Sequence, residues 1–229
     1  MIVGLSLTRA SLPPLRRVGK LRRVRNSDAE RPRAAVDGVV LAAGRSSRMG
    51  TPKTALELDG ATFVQRVVRA LREGGCRDVV AVVGADDSRA GPEAAAAGAR
   101  VVMNTARDSE QIDSLRLALR NLMPGAEGIV VLPVDHPRVS AASVEAVIHG
   151  WTGTRRPIAR ASYGGTAGHP TLFAASVFDE LLRGELPEGA RSVIAAHAAE
   201  VLDVPVTDPG VTTDIDTPDD YRRAGGERP

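Results

Sequence analysis

From Val36 onward, short apolar runs alternate with segments whose apolar residues recur at helical spacing, and that alternation admits few folds. Residues 38–43 form an apolar run that stops at Gly44 and reads as a buried strand. Phe63, Val64, Val67, Val68 and Leu71 then mark one face of a helix that Gly74-Gly75 ends. The spacing predicts further strands at 78–84, 100–103 and 128–133. Between and after them it predicts an Ala-rich helix, a helix on the stripe Ile112, Leu115, Leu119 and Leu122, and another over 141–149. Later come strands at 157–161 and 170–173, helices from Ala175 and over 191–199, and strands at 200–206 and 213–216. A closing helix follows, with Thr217 as N-cap and Pro218 in its first turn. Strands alternating with helices predict an α/β fold of three layers, a mostly parallel sheet covered by helices on both faces. In such sheets ligands bind at the carboxyl ends of the strands.

The 229 residues suffice for one such domain, here 36–229. Its core must rely on Val, Leu, Ile and Ala, since aromatics are only 3%. The first 35 residues read differently. They hold nine basic residues against Asp28 and Glu30, or +7, which leaves −5 for the rest of a chain whose total is +2. This composition predicts a basic, disordered N-terminal extension; an upstream start or an organelle transit peptide are the alternative readings. An acidic folded part argues against nucleic acid as a partner. No apolar run is long enough for a bilayer, so no membrane is expected. The single cysteine, Cys76, fits a helix end and a reducing, cytoplasmic setting.

Chemistry-bearing residues gather at three strand ends. The loop after the first strand reads Leu41-Ala42-Ala43-Gly44-Arg45-Ser46-Ser47-Arg48-Met49-Gly50-Thr51-Pro52-Lys53. Small residues let a base or ribose approach the backbone, and the Gly/Ser content lets amides turn toward phosphate. Arg48 and Lys53 add fixed positive charge. Only two of the 30 basic residues are lysine, Lys20 and Lys53, so a compact ammonium is singled out in this loop. The glycine spacing fits neither a P-loop nor a dinucleotide fingerprint. Asp135 follows an apolar strand and is placed to hold Mg²⁺. Asp216 is the second candidate ligand, and Asp214, two residues earlier, the reserve. Gly168-His169-Pro170 suggests a tight loop whose histidine meets the acceptor, while His136 reads as structural.

These segments, with Pro133-Val134-Asp135-His136-Pro137 and Asp214-Ile215-Asp216-Thr217-Pro218-Asp219-Asp220-Tyr221, resemble the Rossmann-like nucleotidyltransferases related to the molybdenum-cofactor transferases. The resemblance covers 38–222 and is nearest to the molybdenum cofactor cytidylyltransferase branch. It implies Mg²⁺-dependent transfer of an NMP from an NTP to a phosphate group, with pyrophosphate leaving. The implied acceptor is a molybdopterin-type cofactor, and a molybdoenzyme or its maturation chaperone a further partner. Ala42-Ala43-Gly44, where the guanylyl branch has Ala-Gly-Gly, favours CTP. Asn104 and Ser114 match nucleotide-binding positions of the family, but Arg107 and Glu110 replace its aromatic and glycine. A guanylyl or sugar-phosphate transferase, or a non-catalytic nucleotide- or cofactor-binding module, are the competing readings.

Overall fold

The computed structural model describes residues 1, 34–44, 51–106, 108–183 and 185–226. Most of the basic extension, loop residues 45–50 and Arg107 lie outside that set. Strand β1 (Val36–Ala42) is buried along its whole length. Val36, Val40 and Ala42 enter one core, while Val39 and Leu41 enter another. A strand apolar on both faces needs cover on both.

Two short strands, β2 (Glu57–Leu58) and β3 (Ala61–Thr62), form a hairpin whose turn residues Asp59 and Gly60 both have positive φ, the conformation that Asp-Gly favours. Helix α1 (Phe63–Glu73) begins at Thr62. Gln65 N donates to Thr62 Oγ1, and Thr62 N donates to Gln65 Oε1, a reciprocal cap. Next come β4 (Val79–Gly84), α2 (Ala90–Ala96), β5 (Arg100–Asn104), α3 (Gln111–Leu119), β6 (Gly128–Pro133) and α4 (Ala141–Thr154). The chain ends with β7 (Ile158–Tyr163), β8 (Thr166–Ala174), α5 (Phe178–Leu182), α6 (Ala190–Ala196), β9 (Val201–Pro205) and α7 (Pro218–Arg223).

The main sheet has the order β5-β4-β1-β6-β8-β7-β9. β8 pairs antiparallel with β6 and β7, while the other neighbouring pairs are parallel. Helices α1, α2 and α4 close one face around Phe63, Leu71 and Trp151. Helices α3, α5 and α6 close the other around Leu115, Leu181 and Val193. The expected three-layer, mostly parallel architecture is therefore present. Gly38 shows how closely α1 lies on β1, for a Cβ there would stand 3.1 Å from Leu71 and from Val79.

Three expectations need correction. Gly168-His169-Pro170 is not a tight loop but lies within β8, which pairs with β7 and β6. Residues 213–216 are not a strand; the segment is extended but has no sheet partner, because a 3-10 turn at Pro209–Thr212 and Pro218 confine it. The helix expected from Ala175 begins as a 3-10 turn, Ala175–Val177, before α5. Cys76 is buried just beyond the end of α1, and burial, reinforced by Asp37, pushes its thiol well above the usual range. Among the described residues no helix is long and apolar enough to cross a membrane.

Candidate functional site

Parallel register brings the carboxyl ends of β1, β4, β5 and β6 to one edge, with Ala42 opposite Val83, Gly84 opposite Asn104 and Leu41 opposite Pro133. Bonds just past the strands hold their loops together: Val134 N donates to Leu41 O at 3.2 Å, and Ala85 N donates to Asn104 O at 3.1 Å. A cavity of about 220 Å³ opens there. Leu41, Ala43, Gly44, Lys53, Ser114 and Asp135 line it, all sites singled out in the sequence. Ala42 does not, because its side chain belongs to the core under α1. Ser46, Ser47 and Arg48 lie outside the described residues.

Lys53 opens a 3-10 turn, Lys53–Ala55. Its ammonium pairs with Asp216 and stands 3.6 Å from Asp135 Oδ2. Ile215 N donates to the Asp135 carbonyl at 2.9 Å, which ties together the two segments carrying these carboxylates. Asp214, in contrast, is exposed. The Asp135 Oδ1 atom is buried and accepts no hydrogen bond. A buried acceptor left unpaired costs about 1–3 kcal/mol, more when charged, so this oxygen is suited to a cation. The chemistry fits a divalent ion that takes oxygen ligands, with Asp135 and Asp216 as holders. Among the described residues no three side chains of ligand type converge into a metal cluster. Two carboxylates with phosphate and water oxygens are the ordinary complement of such an ion in phosphoryl sites.

The turn carrying Lys53 has a second anchor. Thr54 Oγ1 donates to Asp87 Oδ2, while Asp87 Oδ1 accepts from Arg89 N at 3.1 Å and Ala90 N at 3.0 Å. Asp87 thus joins the start of α2 to the cationic turn, and both Thr54 and Asp87 line the cavity. The sequence reading missed them. The signal available was a polar pair, Asp86-Asp87, directly after an apolar strand. Asn104 and Ser114, matched in the sequence to nucleotide-binding positions, bond to each other: Asn104 Nδ2 donates to Ser114 Oγ and to Ser109 Oγ, each at 3.0 Å. Asn104 stands behind the cavity wall and orients the serines, and Ser109, Glu110, Gln111 and Ser114 form the wall itself.

On β8, Gly168 packs so closely on the 3-10 turn before residue 213 that a Cβ would lie 2.0 Å from the Val211 carbonyl oxygen. Packing alone requires glycine there. The His169 ring lies 4.7 Å from the His136 ring, centroid to centroid. Burial first, then the neighbouring His136, push the His169 imidazole down to about 3, so it is neutral near pH 7. The Nδ1 atoms of both rings are buried without a hydrogen-bond partner. His136 Nε2 stands 3.9 Å from Asp135 Oδ1, which brings a residue read as structural to the edge of the carboxylate site.

The closing motif is a device for placing Asp216. Asp220 Oδ2 accepts from Asp216 N at 3.3 Å, Thr217 N at 2.8 Å and Thr217 Oγ1 at 2.7 Å. Tyr221 OH donates to Glu57 O at 2.7 Å, and its ring meets Phe63 edge to face. Helix α7 is thereby pinned to the β2–β3 hairpin and to α1.

Residues 38–201 match the family model of the MobA-like NTP transferase domain. A molybdenum cofactor guanylyltransferase of Sinorhizobium fredii is 30% identical over 173 residues, 73% of this chain and 78% of that protein. A probable molybdenum cofactor guanylyltransferase of Opitutus terrae is 34% identical over 141 residues, 61% of this chain; the match spans 63% of that protein. Among solved structures, Rv0371c of Mycobacterium tuberculosis is 33% identical with a TM-score of 0.74, covering 83% of this chain and 97% of the other. A manganese complex of Rv0371c superposes with a TM-score of 0.70 at 31% identity, covering 83% and 98%.

Proposed function

The chain belongs to the MobA-like NTP transferase domain family, and on that premise we propose that it transfers an NMP group from an NTP to a phosphate-bearing acceptor, releasing pyrophosphate. The observation that carries this reading is the Lys53 ammonium held between Asp135 and Asp216 at the wall of the strand-end cavity. The acceptor is a molybdopterin-type cofactor, the class named by the guanylyltransferase relatives. A molybdoenzyme or its maturation chaperone would receive the product, in a cytoplasmic setting.

In this reaction an acceptor phosphate oxygen forms a bond to the α-phosphorus, and the bond from that phosphorus to the bridging oxygen breaks. Pyrophosphate takes the leaving electron pair. The acceptor oxygen is already anionic at neutral pH, so no general base is needed. Asp135 and Asp216 would hold a divalent ion, Mg²⁺ in our reading, and such an ion neutralises charge on the transferring and leaving phosphates. Lys53 adds a compact positive charge beside the same oxygens. The Thr54–Asp87 bond and the cap around Asp220 keep the groups aligned, which is where transfer to an anionic acceptor gains most of its rate.

For the base, we favour CTP. Ala43 lines the cavity, and the sequence has alanine there where the guanylyl branch has glycine. The names of the curated relatives support GTP as the second reading. The test is pyrophosphate release with CTP, GTP, ATP and UTP in turn, with Mg²⁺ and molybdopterin-type cofactor. Turnover that depends on CTP and cofactor supports the proposal. Nucleotide binding without release under every combination would reduce the chain to a binding module.

A further inference from the structure

The hydrogen bonds behind the cavity wall have a direction, and that direction fixes what the wall offers a ligand. Asn104, buried at the end of β5, has its amide held one way round, because its Oδ1 accepts from Ala106 N at 3.1 Å. Its Nδ2 therefore faces the serines and directs one hydrogen to Ser109 Oγ and the other to Ser114 Oγ, each at 3.0 Å. Each serine oxygen is thus an acceptor toward Asn104, and its own hydrogen is left to donate. Among the described residues neither hydroxyl donates to another protein group. Both serines line the cavity, and Ser114 is buried, so its donor needs a partner on the cavity side.

We propose that Ser109 and Ser114 read the base as a pair of hydrogen-bond donors, that cytosine answers them with O2 and N3, and that Asn104 is the positioning residue that sets their direction. The inference rests on the proposed nucleotidyl-transfer reading and adds to it the groups that select the base. Glu110, on the same wall, carries a carboxylate that repels a triphosphate, whereas Lys53 attracts one. The phosphates therefore lie toward Lys53 and the base toward the serines. Cytosine places two acceptors side by side, O2 and N3. Uracil has the same shape but carries a hydrogen on N3, which would meet a serine hydrogen. A site built around hydrogen bonds rejects an analogue that cannot make them, since its own donors are left unpaired. The serine pair thus excludes UTP, a discrimination that cavity size cannot make between two pyrimidines.

The test is equilibrium binding of CTP, UTP, GTP and ATP to the full chain with Mg²⁺, without acceptor. The parent chain is expected to bind CTP about tenfold or more tighter than UTP, in the range for a two-bond base contact. Asn104→Asp keeps the shape but reverses the direction. A carboxylate only accepts, so both hydroxyls turn to it and present their oxygens to the cavity. The CTP-to-UTP affinity ratio is then expected to move about tenfold or more toward UTP. A role in packing alone would weaken both nucleotides together. Ser109→Ala and Ser114→Ala serve as second variants, each lowering CTP affinity more than UTP affinity, and thermal melts verify that the variants fold. Three results would overturn the proposal while leaving the transferase reading intact: equal affinity for CTP and UTP in the parent chain, an unchanged ratio in the folded variants, or GTP bound with neither pyrimidine. Failure to bind any of the four nucleotides would overturn both.

Discussion

In the proposed reaction, Asp135 and Lys53 divide the work of the site between them. Asp135 offers a buried oxygen with no hydrogen-bond partner, and Lys53 sets one positive charge against the two carboxylates. Asp135→Asn is expected to lower kcat by roughly 10²–10³-fold, in the range for losing one preorganised electrostatic contact. Its melting temperature should stay near that of the parent chain; a folded variant at full rate would refute the role. Lys53→Arg replaces a point charge with a planar fork that cannot sit between Asp135 and Asp216 in the same way. A loss of about tenfold or more in kcat/KM is expected, about 1.4 kcal/mol in barrier. Ala43→Gly removes the single methyl group by which this lining residue differs from glycine. By the usual worth of one such group, about 1–3 kcal/mol, it should move the CTP-to-GTP ratio of kcat/KM at least tenfold toward GTP. An unchanged ratio would place base selection elsewhere.

Among the elements, the loop before residue 213 is held by one carboxylate. Asp208 Oδ2 accepts from Ser140 N at 2.9 Å and Ser143 Oγ at 2.8 Å, and Oδ1 accepts from Gly210 N at 2.8 Å. It thus joins the N-terminus of α4 to the 3-10 turn that packs on Gly168. Burial works to raise the Asp208 carboxyl, but these hydrogen bonds outweigh it and hold the group below the usual range. A depressed folded-state value stabilises the fold at pH above the unfolded value, about 4, and that contribution is lost as pH falls through the folded value. Asp208→Asn should therefore cost about 1–3 kcal/mol at pH 7. In denaturant titrations its deficit should shrink steadily below about pH 4. A deficit that stays constant down to pH 2 would show that charge is irrelevant there.

At the scale of the molecule, the sheet has the strand-end cavity at one end and, at the other, an ion pair between a buried carboxylate and an exposed guanidinium. Asp37, fully buried near the start of β1, receives Arg77 Nε at 2.9 Å and Arg77 Nη2 at 3.0 Å. Arg77 also donates to the carbonyls of Met123 and Pro124, so the pair ties β1 to the chain leading into β6. Arg77→Ala would strand a buried carboxylate and should cost about 3–5 kcal/mol. Because the pair is remote from the strand-end cavity, KM for nucleotide should be unchanged wherever the variant is folded. The β1 end of the domain is secured by Ala35, whose N donates to Glu127 Oε1 and whose carbonyl accepts from Glu127 N. A chain beginning at Ala34 is accordingly expected to keep both its melting temperature and its turnover.

The alternation of apolar runs and helical stripes was enough to determine the layered α/β plan, since each run from Val36 onward is apolar on the faces that helices must cover. Leu41, Ala43, Gly44, Lys53 and Asp135 were legible as residues of the strand-end cavity for a related reason: they stand at or beyond the ends of strands, where an apolar run is interrupted. Thr54, Asp87 and His136 were not legible, because their positions depend on loops that meet only when β1, β4 and β6 lie side by side. Residues 213–216 misled for the same reason. Their alternation suits a strand, yet the neighbouring turn and the single bond from Ile215 to Asp135 leave them beside the sheet. Gly168 is the clearest case. Sequence marked it as part of a binding loop, and only the approach of Val211 shows that a Cβ has nowhere to go. Local pattern determines what each segment can become, while contacts between segments distant in sequence decide which side chains share a site.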